Sequence, residues 1–161
     1  MTQEPTQDAP RGPGGREPSA ASGSESGARP VVRSIIDASG VLALLFTEPG
    51  AETVADAIAD GAAVSAVNYS EVEIHMSRCG RDAGRILRPL REQLFVEAFT
   101  PADAVCAAAL HPQTTRFGLS LADRACLALA KRMNATALTA DSAWAQLNLG
   151  ITISLIRRAE P

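Results

Sequence analysis

Four acidic side chains, Asp37, Glu71, Asp123 and Asp141, stand where an alternating strand-and-helix pattern would bring them together. Asp37 closes residues 34–37 (SIID), which read as a buried strand. Glu71 falls about one turn into a helical segment at 67–79, and Asp123 in the first turn of a strongly apolar helix at 121–133. Asp141 follows a short strand at 136–139. Asp123 and Asp141 are 18 positions apart. At ~1.5 Å per residue the intervening helix runs ~20 Å away from an edge and the next strand returns to it. The same geometry carries Asp37 and Glu71 to that edge, so four carboxylates from four segments are expected at one rim of the sheet.

Crowded carboxylates repel one another and raise each other's pKa unless a cation sits among them. An oxygen-only donor set without converging Cys or His selects Mg²⁺, with Mn²⁺ as a substitute, over Zn²⁺. Such a pocket suits attack of water on a phosphodiester. A cation lowers the pKa of the water and neutralises charge on the phosphate and the leaving oxygen. Each acid also has a local alternative. Asp37 and Asp141 could be helix N-caps, Asp123 completes a Ser120-x-x-Asp capping box, and Glu71 could be a solvated helix side chain. None of those local roles requires the four to meet.

The elements that must position them follow from periodicity. Strands are expected at 34–37, 62–66, 95–99, 136–139 and 151–156. Helices are expected at 39–46, 50–60, 67–79, 81–94 (kinked or interrupted by Pro89), 101–110, 121–133 and 142–147. This alternation implies right-handed crossovers and a three-layer α/β/α fold with a mainly parallel central sheet. In such sheets ligands bind beyond the C-terminal ends of the strands.

Composition bounds the rest. The chain has 161 residues, a net charge of −3, 46% hydrophobic and 4% aromatic residues, which fits one domain. Residues 1–30 hold five of the 12 Gly and five of the 10 Pro, and no Val, Ile, Leu or aromatic residue. They cannot bury enough surface to offset ordering, so residues 1–33 are expected to be a disordered low-complexity tail before a folded domain at 34–158. There is no apolar run of ~18 residues and no basic-then-apolar leader, which points to a cytoplasmic protein without membrane association. Cys79, Cys106 and Cys126 are too widely spaced for a metal or redox pair and read as free, buried thiols.

Arg78, Arg81, Arg85, Arg88 and Arg91 form the densest basic run, with Arg81, Arg85 and Arg88 on one expected helical stripe. A solvated face is the simpler account; the functional one is a set of RNA phosphate contacts, to which Arg116 and Arg124 could add. Glu71 and His75 are an i, i+4 pair, but the chain has no HExxH. The six-residue aromatic set is too sparse for a base-stacking platform and is expected mostly in the core. Beyond the tail, 12 basic side chains face 14 acidic ones; with four acids assigned to a metal pocket, the remaining surface is slightly basic.

Four stretches carry a resemblance: IIDASGVLALLF around Asp37, VNYSEVEIH around Glu71, GLSLADRACLALAKRM around Asp123 and ALTADSAW around Asp141. In order and spacing they resemble the PIN-domain family, in particular the VapC-type toxins of prokaryotic toxin–antitoxin pairs. The resemblance implies a Mg²⁺- or Mn²⁺-dependent endoribonuclease acting on tRNA, rRNA or mRNA, with Asp37, Glu71, Asp123 and Asp141 as its metal-binding catalytic acids. It further implies that Ser39 and Thr139 order the water or the acids, that the helices at 39–46 and 50–60 help bind a VapB-like antitoxin, and that the chain forms a homodimer. The tail before Ser34 departs from the compact toxins. Two alternatives remain from sequence, a housekeeping RNA-processing nuclease without antitoxin and a non-catalytic RNA- or protein-binding module. A dehalogenase-type phosphatase is disfavoured because Asp37 is followed by Ala38 and Ser39, and a receiver domain because the one lysine, Lys131, lies inside an expected helix.

Overall fold

Strand β1 (Ser34–Ile36) is followed by α1 (Ala38–Leu45), α2 (Ala51–Ala59), β2 (Ala62–Ser65), α3 (Ala66–Arg78) and α4 (Ala83–Arg91). Then come β3 (Phe95–Glu97), α5 (Pro101–Thr114), α6 (Leu121–Met133), β4 (Thr136–Thr139) and β5 (Ile153–Leu155). The computed structural model describes residues 31–157, so residues 1–30 of the tail expected at 1–33, and the domain end expected at residue 158, lie outside the described residues.

The described strands form one sheet in the order β3-β2-β1-β4-β5, and every pairing is parallel. Successive residues of the central strands face opposite layers. Ile36, Val64 and Leu138 pack with Val41, Val54, Val72, Met76 and Leu87, from α1 to α4. Ile35, Ala63 and Ala137 pack with Leu110, Cys126, Leu127, Leu129 and Trp144 on the other side. Central strands buried on both faces explain the continuous apolar runs of the sequence and produce the expected three layers.

Several boundaries differ from the sequence expectation. Helix α5 continues past Leu110 and through Pro112 to Thr114. The proline removes one backbone donor, but the Thr114 hydroxyl donates to the Leu110 carbonyl (2.9 Å) and Thr115 to that of His111 (2.7 Å), reinforcing the last turn. Helix α4 starts only at Ala83, capped by Asp82, so Arg81 lies before it and does not share a helical stripe with Arg85 and Arg88. Residues Ser142–Gln146 form a 3-10 turn. Phe95 is 40% exposed on the edge strand, and Cys79 is exposed, so neither is in the core expected of it; Cys126 is fully buried.

The direction of strand addition reverses at β1, with β2 and β3 on one side and β4 and β5 on the other. The crevice beyond the C-terminal ends of β1 and β4 is therefore the topological switch point, where such sheets bind ligands. Asp37 follows β1 directly, and its N–H donates to the Leu138 carbonyl of β4 (2.8 Å).

Candidate acidic site at the ends of the central strands

Asp37, Glu71 and Asp123 line one open cleft of about 470 Å³ together with Leu42, Ile74, His75 and Arg78. Asp37 comes from the end of β1, Glu71 from the second turn of α3 and Asp123 from the first turn of α6. Asp141 lies at the same end of the sheet, after β4, but is not part of the cleft lining. Its carboxylate accepts the Ala143 N–H (2.9 Å) and caps the 3-10 turn.

Local capping is realised at the other two aspartates without removing them from the cleft. Asp37 is the N-cap of α1, accepting the Ser39 N–H (3.3 Å). Asp123 forms the reciprocal capping box with Ser120: its Oδ2 accepts the Ser120 N–H (2.6 Å), and its own N–H donates to the Ser120 hydroxyl (3.1 Å). The capping and cleft roles are compatible because strand ends and helix starts share one edge.

Asp37 is held at both oxygens. Oδ2 accepts the Ser39 hydroxyl (2.7 Å) and lies 3.2 Å from the Thr139 hydroxyl. Oδ1 accepts the side-chain amide of Asn68 (2.9 Å). Ser39 in turn accepts the Ala140 N–H, and Thr139 the Asp141 N–H. Burial pushes the Asp37 pKa up, the Ser39 hydroxyl pulls it back in part, and the Asp123 charge raises it again. Glu71 is pushed up to about 7, by desolvation first and then by the charges of Asp37 and Asp123. Burial, with the same two charges, holds the Cys126 thiol far above its ordinary value, so it stays protonated and inert.

Among the described residues no Arg, Lys or His forms an ion pair with Asp37, Glu71 or Asp123. Likewise, among them no three His, Cys, Asp or Glu side chains stand close enough to enclose one ion. The donor chemistry, three mutually repelling carboxylates with no described side chain ion-paired to them, nevertheless matches a hard divalent ion.

The arginines disperse. Arg81 stacks over the Phe46 ring (4.8 Å to the centroid), which also meets the ring of His75 in a T-shaped arrangement (5.6 Å). Arg85 and Arg88 are exposed on α4, and Arg116 covers Phe117 (4.6 Å). Arg124 donates to the Leu119 carbonyl (2.7 Å). None of these five lines the cleft; Arg78 does. Asn68 was not singled out by sequence reasoning. Its signal was available: with Val72 and Met76 it occupies the buried stripe of α3, where an amide has no apolar purpose.

A family model described as PIN domain matches residues 34–149, and the chain belongs to that family. Its fold is similar to that of VapBC2 from Rickettsia felis bound to a promoter DNA fragment (TM-score 0.63, 12% identity, covering 76% of this chain and 97% of that one). It is also similar to a toxin–antitoxin complex from Klebsiella pneumoniae (TM-score 0.58, 18% identity, covering 70% and 91%). A third similar structure is Mycobacterium tuberculosis VapC20, described as a sarcin–ricin loop cleaving toxin (TM-score 0.57, 18% identity, covering 71% and 96%). No curated protein matches the chain significantly. Among the described residues no helix is long and apolar enough to cross a membrane.

Proposed function

We propose that the protein is a Mg²⁺-dependent endoribonuclease, with Mn²⁺ able to substitute, and the toxin component of a toxin–antitoxin pair in the cytoplasm. The observation that carries this reading is the meeting of Asp37, Glu71 and Asp123, from three separate elements of a PIN-domain chain, in one cleft where none of them is ion-paired to a described side chain. The similar solved structures include toxin–antitoxin complexes, which supports a VapB-like antitoxin as partner. A homodimer and a structured RNA substrate (tRNA, rRNA or mRNA) complete the proposal.

Asp37, Glu71 and Asp123, which do not by themselves stand close enough to enclose an ion, would have to draw in around it to hold it, with Asp141 as a fourth acid at the same sheet end. When bound, the ion would supply charge neutralisation at the scissile phosphate and acidify water. The protein's own groups do the remaining work. Four donors fix the Asp37 carboxylate, so its orientation costs nothing further when substrate arrives. Glu71, raised to about 7 by burial and by the charges of Asp37 and Asp123, would give up its proton as a divalent ion supplies the missing counter-charge, so uptake of the ion would release a proton near neutral pH. The Arg78 guanidinium in the cleft wall can meet a phosphate oxygen, and the apolar Leu42 and Ile74 can exclude water beside it.

The test is purified protein incubated with total RNA in Mg²⁺ or Mn²⁺, and then in EDTA. Cleavage that stops in EDTA and in Asp37→Asn is expected; cleavage unchanged by either would sink the reading. For the toxin role, induced expression should arrest growth, and co-expression of the product of an adjacent small gene should relieve it.

A further inference from the structure

Asn68 has a place in the site that the acids alone do not explain. It is fully buried in the apolar stripe of α3, three residues after the end of β2 and three before Glu71. Both hydrogen-bond partners of its side chain are acceptors: Asp37 Oδ1 at 2.9 Å and the Ala122 carbonyl at 3.1 Å. That pair fixes the orientation of the amide, since the flipped group would set its oxygen against a carboxylate. The Asn68 oxygen itself is buried with no partner. The side chain is therefore held for its two donors, at the cost of an unsatisfied acceptor.

The two acceptors belong to different parts of the acidic site. Asp37 follows β1; Ala122 immediately precedes Asp123 in the first turn of α6. At Asp37, Ser39 and Thr139 crowd Oδ2, while Asn68 is the side chain that fixes Oδ1. One amide thus spans the end of β1 and the start of α6 from a third element, and its two N–H groups set the separation of the segments that carry Asp37 and Asp123.

We propose that Asn68 is a positioning residue for the acidic site, clamping the Asp37 carboxylate and the first turn of α6 in a fixed register through both of its amide protons. The consequence for catalysis rests on the metal-dependent nuclease reading; the clamp itself does not. Its role is to keep two repelling carboxylate-bearing segments facing one cleft before any ion enters.

The test is a double-mutant cycle on Mn²⁺ affinity, measured by calorimetry, for the wild type, Asn68→Leu, Asp37→Asn and the double variant. Asn68→Leu keeps the γ-branched shape, with bulkier methyl groups, and removes both donors; Asn68→Ala serves if the leucine form does not fold, with circular dichroism as the check. Loss of the clamp should weaken Mn²⁺ by about 10-fold or more, as for outer partners of metal ligands. The loss should vanish in the Asp37→Asn background. An equal loss in both backgrounds is the mark of a merely structural residue and overturns the proposal. A second readout needs no metal: in the NMR spectrum the Asn68 side-chain amide protons should be protected from exchange and shift in Asp37→Asn. If the wild type neither binds Mn²⁺ nor cleaves RNA while these protons respond, the nuclease reading fails and the clamp stands. If the protein binds and cleaves but Asn68 and Asp37 are uncoupled in both readouts, the clamp fails and the nuclease reading stands.

Discussion

The hydroxyl of Thr139 lies 3.2 Å from Asp37 Oδ2, joining the ends of β1 and β4 across 102 positions of sequence. The same oxygen accepts the N–H of Asp141 at 3.1 Å. One buried threonine therefore ties the most buried acid of the cleft to the loop that carries the fourth acid, at the switch point of the sheet.

Thr139→Val preserves shape and removes both interactions. It should cost about 1–3 kcal/mol in urea unfolding, because Asp37 loses a donor in a dry setting and the Asp141 N–H loses its acceptor. RNA cleavage should fall at least about tenfold, the order expected of an outer hydrogen-bond partner. Wild-type rates in a folded Thr139→Val protein would show that Asp37 does not need this support.

Glu71 makes stability depend on pH in a direction opposite to the usual salt-bridged acid. Its folded pKa is raised from 4.5 to about 7, so between those values the folded state binds more protons than the unfolded state. Stability is then highest below pH 4.5 as far as this group is concerned, and falls as pH rises towards 7. Asp37, also raised, acts with the same sign above its ordinary value. The full shift is worth at most about 3 kcal/mol, and solvent screening at a half-exposed side chain reduces it to roughly 1–2. Thermal melts without metal should show a midpoint that drops from pH 5 to pH 7.5. Glu71→Gln should flatten that drop. Mn²⁺ should raise the midpoint more at pH 7.5 than at pH 5, and a metal effect independent of pH would contradict the account.

Gly40 sits in α1 where its helix-weakening nature is outweighed by the need for close approach. A Cβ there would stand 2.8 Å from Ile36 Cγ2 and 3.7 Å from Val54 Cγ2, and Ile36 is fully buried. Alanine would gain about 1 kcal/mol of helix propensity and lose about 1–3 to overpacking. Gly40→Ala is expected to be less stable in denaturant titration; a gain would mean that α1 shifts freely over the sheet.

Far from the cleft, Arg132 of α6 pairs with the buried Asp103 of α5 at 2.9 Å and also donates to the Ala98 carbonyl (3.2 Å). Burial works to raise the Asp103 pKa, but the amide and hydroxyl of Thr100 and the Arg132 guanidinium outweigh it and leave it lowered. Arg132→Met should cost about 1–3 kcal/mol at pH 7, less than a fully buried pair because the arginine is partly exposed. Since a lowered acid stabilises above its unfolded pKa, the difference from wild type should shrink as pH falls through the carboxylate range. Urea titrations at pH 7 and pH 3 measure it.

Most of the architecture was legible because its signals are local. Apolar periodicity marked α6 and β4 to the residue, and the Ser120-x-x-Asp123 box was visible before the helix it caps. Asp37, Glu71 and Asp123 could be placed at one edge because strands alternating with helices return to it at regular intervals. Pro112 was harder to read: proline within a helical run signals a stop, and the Thr114 and Thr115 hydroxyls that sustain the last turn lie beyond it. The helical stripe expected for Arg81, Arg85 and Arg88 failed because Asp82 starts the helix after Arg81.

The sequence by itself determined which residues could form an acidic rim and on which edge of a parallel sheet they would stand. Only the tertiary structure decided how they are held. Asp141 caps its own turn instead of lining the cleft, and Arg78 lines it where the neighbouring arginines do not. Asn68 reaches partners 31 and 54 positions away. Caps and periodicities are free energies of a few neighbouring residues, and any short window contains them. A hydrogen bond between the ends of β1, α3 and α6 exists only after the layers have packed, because packing alone sets the distance between its donor and its acceptors.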